Sequence, residues 1–509
     1  MMRDLSLKFK SLLKTERPLS YHLEVAQVRL QPLAVPALAG ATLALGAAAA
    51  MLATKLPLEM TLLALAGLAV VLVAFSKPEF VVLSMLVASS SIFHVSDVPT
   101  IKVGFAFTVI ELCLIFLLGL VVAQALAGRE AGYVGTPLDL PIALFFLASF
   151  VSLINSVFIL GTDVDLMEYR WRILFGYFAF FAVTNLVRTR QQLLLLVTGM
   201  FVIAAIVAIL MIVQQAVGTS VVILPGRVET ASVFEEDFAS VTRILPPGES
   251  LILVMFMPAF ILFITRERLG ITEWLLLFTI FLLLIALAFT FNRNMWIGTT
   301  MSIGAVFFLS TRNQRKNLLL FLCVIMVFGA IVIPLLSMDF PKLGDVFNAL
   351  YLRGASLFTG DRVKYSSSWQ WRVRENEYAM IKIRQHPILG IGPGNHYRPR
   401  WSDGDNNLGY MHNSYLYILM DFGIVGFVPF VWFSIMFLIR GYRLWLTIQD
   451  KVFMAVVLGF TLTYVTFLIA GIAAPAFMEW YCTPVLGVMF GVNEVIYQLN
   501  REATGLKAA

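Results

Sequence analysis

Apolar residues along this chain occur in long blocks rather than in the short periodic patterns of a soluble protein. Many blocks extend over roughly 20 residues, the length that an α-helix needs to cross about 30 Å of hydrocarbon. About 14 such blocks can be read from the sequence. They lie near residues 33–53, 57–75, 79–94, 105–127, 139–158, 171–187, 191–217, 248–265, 271–290, 294–310, 317–337, 412–439, 452–474 and 481–499. The pattern predicts an all-α polytopic membrane protein.

The composition narrows the possible classes of protein. The 509 residues are 59% hydrophobic and 13% charged, whereas a soluble domain is about half apolar and roughly a quarter charged. This balance excludes a soluble enzyme, a disordered chain and, despite a formal net charge of +6, a nucleic-acid-binding protein. Membrane lipids are therefore expected partners, and nucleic acid is not.

The placement of Lys and Arg indicates how the predicted helices are oriented. If the N-terminal tail is cytoplasmic, the connections on that side hold 14 Lys and Arg residues; the opposite connections hold seven outside their one long loop. Short cytoplasmic loops are enriched in these residues, and long loops escape the rule. The bias predicts that both termini are cytoplasmic and that the number of spans is even.

Two connections are longer than simple linkers. The second of them has 74 residues, of which ten are basic and 11 aromatic, and stretches such as 369–385 predict short helices within it. The expected organisation is a basic cytoplasmic tail 1–32, transmembrane helices 33–217, a short extracytoplasmic loop 218–247, transmembrane helices 248–337, a long extracytoplasmic loop 338–411, transmembrane helices 412–499 and a cytoplasmic tail 500–509.

Polar residues concentrate at the end of the long loop. The run HPILGIGPGNH contains Gly390, Gly392 and Gly394, which permit positive φ angles and a close backbone approach. Either a tight loop leading back to the membrane or an anion-binding cradle would need them. His412 follows in HNSYL at the mouth of a predicted span. It is a candidate base near neutral pH, and a structural hydrogen-bonding role at the interface is the alternative.

Arginines on the predicted outer side form a second candidate group: Arg227, Arg243, Arg293 and Arg372. One guanidinium group can bind two phosphate oxygens at once, and it keeps its charge at any physiological pH. Several that converge on one cavity would suit a membrane-held pyrophosphate. The alternative is contact with lipid headgroups.

Acidic residues are the third candidate group. Asp163 and Asp165 form a DxD pair in an outer loop, which could hold a divalent metal on a pyrophosphate or simply be solvated. Glu111 lies within a predicted span, where a carboxylate is functional by default. The sequence names no partner for it. Neither a metal site nor a cofactor is predicted.

In their order along the chain, these features resemble the bacterial O-antigen ligase and polymerase superfamily. The matching elements are Arg293 in TFNRNMWIG, Arg372 in SSSWQWR, HPILGIGPGN, HNSYL and LMDFGIVG, with GRVETASVF at 226–234 as a looser match. Asn292 and Asp421 stand where the family usually has Ser and Glu, and the chain has about two spans more than the usual twelve. These departures leave the subfamily open.

The resemblance implies a membrane glycosyltransferase of the GT-C type in the bacterial cytoplasmic membrane, with its active site outside. It implies a glycan donor on undecaprenyl pyrophosphate and a glycan or lipid A core as acceptor. His412 would be the base or would orient the acceptor, while Arg293 and Arg372 would bind the pyrophosphate without a metal. Residues that could contact sugars, or merely pack the loop, are Trp369, Trp371, Tyr397, Trp401 and Asn413.

The motifs leave several functions open. Ligase, polymerase and protein O-oligosaccharyltransferase would share them. A lipid-linked glycan flippase or transporter is the alternative from another class, and it would need charged residues deep within the spans and paired discontinuous helices. Apart from Glu111 the predicted spans are nearly free of charge. The sequence therefore favours a glycan transferase.

Overall fold

The computed structural model describes residues 75–90, 92, 101–103, 105–126, 133–162, 170–233, 236–266, 271–357, 367–401 and 407–503. Within these residues the fold is mostly helical. The predicted spans 33–53 and 57–75 lie outside them, apart from the last residue. Asp163 and Asp165 lie outside them as well.

The described helices follow the predicted spans closely. They are α1 Pro78–Ser89, α2 Val109–Leu126, α3 Asp139–Phe158, α4 Ala179–Leu186, α5 Arg190–Val217, α6 Glu249–Ile264, α7 Ile271–Phe289, α8 Arg293–Leu309, α9 Arg312–Val327, α10 Ile333–Asp339, α11 Pro341–Ala355, α12 Ser367–Gln385, α13 Ser414–Thr447, α14 Lys451–Ala470 and α15 Cys482–Ala503. A 3-10 segment, Ile173–Phe178, leads into α4, and a π-helical turn, Phe328–Val332, joins α9 to α10. The long loop contains α11 and α12.

Six helical segments in the described part are long and apolar enough to cross a membrane: α2, α3, α5, the continuous α9–α10 segment, α13 and α14. Shorter apolar helices include α1 and α6. These segments confirm the predicted class of helical membrane protein. The total of about 14 spans, the domain limits and the orientation stay predictions.

Two antiparallel hairpins depart from the all-α expectation. β1 Ile101–Val103 pairs with β2 Phe105–Phe107. β3 Arg227–Val233 pairs with β4 Glu236–Leu245, with a register shift between Thr230 and Ala231. β-branched Val and Thr recur in both strands of the second hairpin, and such residues suit a pleated surface. Part of the predicted loop 218–247 is therefore a sheet.

The second hairpin packs on α11 and forms a small unit apart from the main core. The shared apolar cluster is Ala231, Val241, Phe291, Val346 and Ala349. Ser240 Oγ also donates to Asp345 Oδ2 over 2.6 Å. This packing holds the hairpin and α11 against the turn that precedes α8.

The main core lies around α6, which is buried along most of its length. A helix that is hydrophobic on all sides is expected to be enclosed by other helices. Beside it, rings from α3, α13 and α15 interlock, with Phe145, Phe430, Phe433 and Phe490 among them. This rigid core supports the helix ends that carry the polar residues described next.

Helix α13 is interrupted at Gly423, whose φ of 62° lies outside the helical region. A Cβ there would lie 2.0 Å from the carbonyl oxygen of Ile388, so only glycine fits. The backbone amides after the break, of Ile424 and Val425, donate to the carbonyls of Pro387 and Ile388 over 2.9 and 3.3 Å. The loop thus replaces hydrogen bonds that the helix has lost.

The glycine-rich run is the segment that fills this break. Gly390, Gly392 and Gly394 have φ angles of 71°, 86° and 80°. The amides of Ile391 and Gly392 donate to carbonyls on the other side of the break, each over 2.9 Å. Because these amides are committed to α13, the geometry favours the tight loop over the anion cradle.

Candidate active site

The arginines meet around the turn that leads into α8. Phe291 in this turn has a φ of 51°, the one positive value found at a non-glycine residue in the described part of the chain. Nε of Arg243, from β4, donates to the carbonyl of Thr290 over 3.3 Å. Nε of Arg353, from α11, donates to the carbonyl of Phe291 over 3.2 Å. Arg293 begins α8 directly afterwards, so three elements bring their arginines together.

Electrostatics indicates that Arg372, on α12, belongs to the same group. Burial, together with the charges of Arg293, Arg243 and Arg372, lowers the pKa of Arg353 to about 9. Burial also lowers the pKa of Arg372, and Arg293 and Arg243 act in the same direction. Guanidinium groups that disfavour each other's charge in this way would be stabilised by a bound anion. We call Arg243, Arg293, Arg353 and Arg372 the arginine cluster.

Arg227 lies at the edge of the cluster. Its Nε contacts Glu229 Oε2 at 2.8 Å, and Arg243 Nη1 contacts the other oxygen, Oε1, at 2.9 Å. The side chain of Arg227 is 65% exposed, compared with 24% for Arg243. Arg243 therefore lies inside the site, and Arg227 faces its opening.

His412 is held by a buried carboxylate that sequence reasoning did not identify. Its ring Nδ1 lies 2.8 Å from Glu375 Oε2, and its backbone amide donates to the same oxygen over 3.2 Å. Trp371 Nε1 donates to Glu375 Oε1 over 2.8 Å. The Glu375 side chain is 1% exposed, and that of His412 is 31% exposed. In the neutral ring, this contact places the proton on Nδ1 and leaves the Nε2 lone pair free to accept one.

Helix α12 connects the two halves of the site. Arg372 and Glu375 are three residues apart, so they lie on the same helical face. Arg374 and Glu377, on the same helix, are exposed to solvent. One helix therefore carries both a guanidinium group of the arginine cluster and the carboxylate that holds His412.

Replacing Glu375 with glutamine is expected to lower kcat for any reaction that uses His412 by about 10²-fold or more, since an amide cannot fix the tautomer in the same way. Donor KM should change little. The pH profile of kcat should shift together with this loss, which a merely structural defect would not produce. Glu377→Gln, the exposed change on the same helix, is the control. An unchanged kcat in Glu375→Gln would contradict the assignment.

The residues after His412 anchor it from the other side. Asn413 caps α13, because its side-chain oxygen accepts from the amides of Tyr415 and Leu416 over 3.1 and 3.2 Å. Ser414 Oγ donates to the carbonyl of Ala474 over 2.7 Å. The side-chain oxygen of Asn413 is thus already used in a helix cap. A contact between Asn413 and a sugar stays a prediction.

The aromatic candidates for sugar binding divide into two groups. Trp371 and Trp401 pack edge to face with ring centroids 4.3 Å apart, and the Arg398 guanidinium carbon lies 4.4 Å from the Trp401 ring centroid. Tyr397 is 2% exposed. Trp369 is 43% exposed. The first three pack within the loop, and Trp369 is the most exposed of the four; sugar contacts through any of them stay a prediction.

Glu111, predicted within a span, lies in the first turn of α2 and forms an ion pair with Arg172. The backbone amide of Thr108 donates to Glu111 Oε2 over 2.8 Å. Glu111 therefore stabilises the first turn of α2 and pairs with Arg172. Within the described residues, no three His, Cys, Asp or Glu side chains are grouped as metal ligands.

Comparison with known families adds to this geometry. Residues 278–431 match the family model of O-antigen ligase. We name this segment the O-antigen ligase domain after the family that it matches. The match confirms the resemblance to the O-antigen ligase and polymerase superfamily that the motifs predicted. Most of the site lies within the O-antigen ligase domain, including Arg293, Arg353, Arg372, Glu375 and His412, whereas Arg243 precedes it. A search of curated proteins found no match.

Proposed function

We propose that the protein transfers a glycan from undecaprenyl pyrophosphate to an acceptor hydroxyl at the outer face of the bacterial cytoplasmic membrane. The observation that carries this proposal is the arrangement of an oriented His412–Glu375 pair beside the arginine cluster. The first supplies a base and the second supplies charge for a pyrophosphate. The O-antigen ligase domain that contains most of these residues supports the same class of reaction.

The arginine cluster suits the leaving group. A glycosyl pyrophosphate carries its charge on oxygens that guanidinium groups can bind in pairs. Negative charge grows on the bridging oxygen as the glycosidic bond breaks, and fixed cations close to that position stabilise the transition state. A bound pyrophosphate would also relieve the mutual repulsion within the cluster.

The acceptor needs a positioned hydroxyl and a proton acceptor. The hydroxyl oxygen attacks the anomeric carbon, the bond from that carbon to the pyrophosphate oxygen breaks, and His412 Nε2 takes the hydroxyl proton. Undecaprenyl pyrophosphate leaves with the bonding electrons, and the anomeric configuration inverts. Glu375 stabilises the resulting imidazolium. No step requires a group from outside the chain and its two substrates.

The identity of the acceptor divides the proposal into three forms that use the same centre. A ligase would use a lipid A core, and a polymerase would use the glycan of a second lipid-linked donor. Transfer to protein is a third form of the same chemistry. In each of them the donor and the residues around it are the same.

Equilibrium binding in lipid nanodiscs tests the donor class. Undecaprenyl pyrophosphate should bind about tenfold or more tightly than undecaprenyl monophosphate, because a second phosphate adds charge-assisted contacts. Higher salt should reduce the difference. Equal affinity for the two lipids would contradict a pyrophosphate site.

The reduced pKa of Arg353 predicts a limit at high pH. Its charge is present below a pH of about 9 and is lost above it, so kcat/KM for the donor should fall as the pH rises through that value. Arg353→Gln should have a lower kcat/KM at neutral pH, and its kcat/KM should not fall further near pH 9. If the fall near pH 9 persists in the variant, the deprotonation of another group causes it.

One observation bears on the transporter alternative, namely the interruption of α13 near the buried Asp421. Transporters use the unpaired carbonyls of such breaks to hold a substrate or ion. Here the carbonyl of Asp421 accepts from Ser152 Oγ over 2.6 Å and from the Gly392 amide over 2.9 Å. Because this carbonyl is already occupied, the break gives no support to a transporter site.

A further inference from the structure

A second group of polar residues lies against the ring of His412. The rings of Tyr410 and His412 meet edge to face, with centroids 5.1 Å apart. Tyr410 Oη donates to Glu479 Oε1 over 2.9 Å. The Arg170 guanidinium carbon lies 5.4 Å from the Tyr410 ring centroid. Glu479 comes from the connection between α14 and α15, beyond the O-antigen ligase domain.

Both Tyr410 and Glu479 are partly exposed, as His412 is. A ligand that reaches His412 therefore finds these two side chains accessible beside it. Burial raises the pKa of Glu479 to about 7, while the hydrogen bond from Tyr410 and the charge of Arg170 oppose this rise. At neutral pH the carboxyl can either donate or accept a hydrogen bond.

Glu249 provides an independent observation at the same place. It interacts electrostatically both with Glu479 and with Arg243 of the arginine cluster. Its side chain is buried, with 8% of the residue exposed. Its Oε2 has no hydrogen-bond partner among the described residues. A buried oxygen without a partner is costly, and a ligand hydroxyl would satisfy it.

The chemistry of this group differs from that of the arginine cluster. Two carboxyl groups next to a tyrosine repel a polyanion, so the pyrophosphate belongs on the arginine side. Carboxyl and phenol groups pair well with hydroxyls, which both donate and accept hydrogen bonds. A neutral, hydroxyl-bearing ring that also contacts His412 fits this surface.

We propose that Tyr410, Glu479 and Glu249 form the subsite that binds the hydroxyl groups of the acceptor sugar next to His412. This assignment rests on the proposed glycan transfer. It places the donor and the acceptor on opposite sides of one base, with Arg243 and Glu249 where the two sides meet. Two of the three residues, Glu249 and Glu479, lie outside the matched domain. This placement suits acceptor binding, because the acceptor differs between ligases and polymerases.

Partition between transfer and hydrolysis tests the subsite. The purified full chain in nanodiscs receives a labelled undecaprenyl-pyrophosphate glycan, and the glycolipid fraction of the source membranes is titrated as acceptor. Tyr410→Phe and Glu479→Gln are each expected to raise the apparent acceptor KM about tenfold, with donor KM within about twofold. A larger share of the donor should be hydrolysed by water.

The controls separate the possible failures. Tyr351→Phe and Glu377→Gln alter exposed residues of the same long loop and should behave as the wild type. Undecaprenyl pyrophosphate binding that survives in the test variants shows that they are folded. An unchanged acceptor KM, or equal losses for donor and acceptor, would overturn the subsite. A wild type that neither transfers glycan nor binds undecaprenyl pyrophosphate would instead overturn the proposed function.

Discussion

Replacing His412 with alanine is expected to lower the rate of glycan transfer by about 10³-fold, within the range of about 10²–10⁴ that a general base contributes. The loss should appear in kcat, because His412 acts on the acceptor proton as the new bond forms. Binding of undecaprenyl pyrophosphate should be nearly unchanged, since that lipid is held by the arginine cluster. Steady-state kinetics together with equilibrium binding of the lipid would measure both effects.

His396 offers a matched control for this prediction. It belongs to the same loop, is exposed, and is the last residue of the glycine-rich run. His396→Ala should retain wild-type kcat and binding. If His412→Ala transferred glycan at the wild-type rate, the histidine would be a structural residue and the base would have to lie elsewhere.

Replacing Arg372 with alanine is expected to lower kcat/KM for the donor by about 10²–10³-fold, similar to the loss of one preorganised group that stabilises a developing negative charge. Both donor KM and kcat should suffer, because the guanidinium binds the pyrophosphate in the ground state and more strongly as its charge grows. Undecaprenyl pyrophosphate binding should weaken in parallel. Steady-state titration of the donor would provide both constants.

Arg374 is the corresponding control, since it is exposed on the same helix. Arg374→Ala should leave donor kinetics unchanged. Arg372→Lys should restore only part of the activity, because an ammonium cannot form the paired contact of a guanidinium. Full activity in Arg372→Ala would remove this residue from the donor site.

Much of the fold was predictable because a lipid environment imposes simple rules. Apolar blocks of about 20 residues mark helices, and helices lie in the predicted blocks that the structure describes, although α13 extends to Thr447, beyond the predicted end at 439. The helix at 369–385 within the long loop was also predicted, and α12 extends over Ser367–Gln385. The small hairpin of β3 and β4 was not predicted, because its strands lie in a polar connection without a clear alternating pattern.

The site was predictable only in part. Arg293, Arg372 and His412 were identified from their chemistry and from motif order, and the structure brings Arg293 and Arg372 together. Glu375 was missed because a carboxylate in a charged helix resembles a solvated one, and its burial depends on packing against Trp371 and His412. Its spacing of three residues from Arg372 was the one available signal.

Other features depend on contacts between distant segments. Arg353 joins the cluster only because α11 packs on the hairpin, and nothing in its local sequence distinguishes it from other loop arginines. The break of α13 at Gly423 likewise depends on the glycine-rich run, which supplies the missing hydrogen bonds. Gly423 within a mostly apolar block does not by itself reveal such an interruption.

The most direct test of the account is simultaneous measurement of transferred glycan and released undecaprenyl pyrophosphate by the purified wild type in nanodiscs, with EDTA present. We expect one lipid pyrophosphate to be released for each glycan transferred, with inversion at the anomeric carbon. Both products should be lost together in His412→Ala. Transfer that requires an added divalent metal, or that proceeds with retained configuration, would contradict a centre built from His412, Glu375 and the arginine cluster.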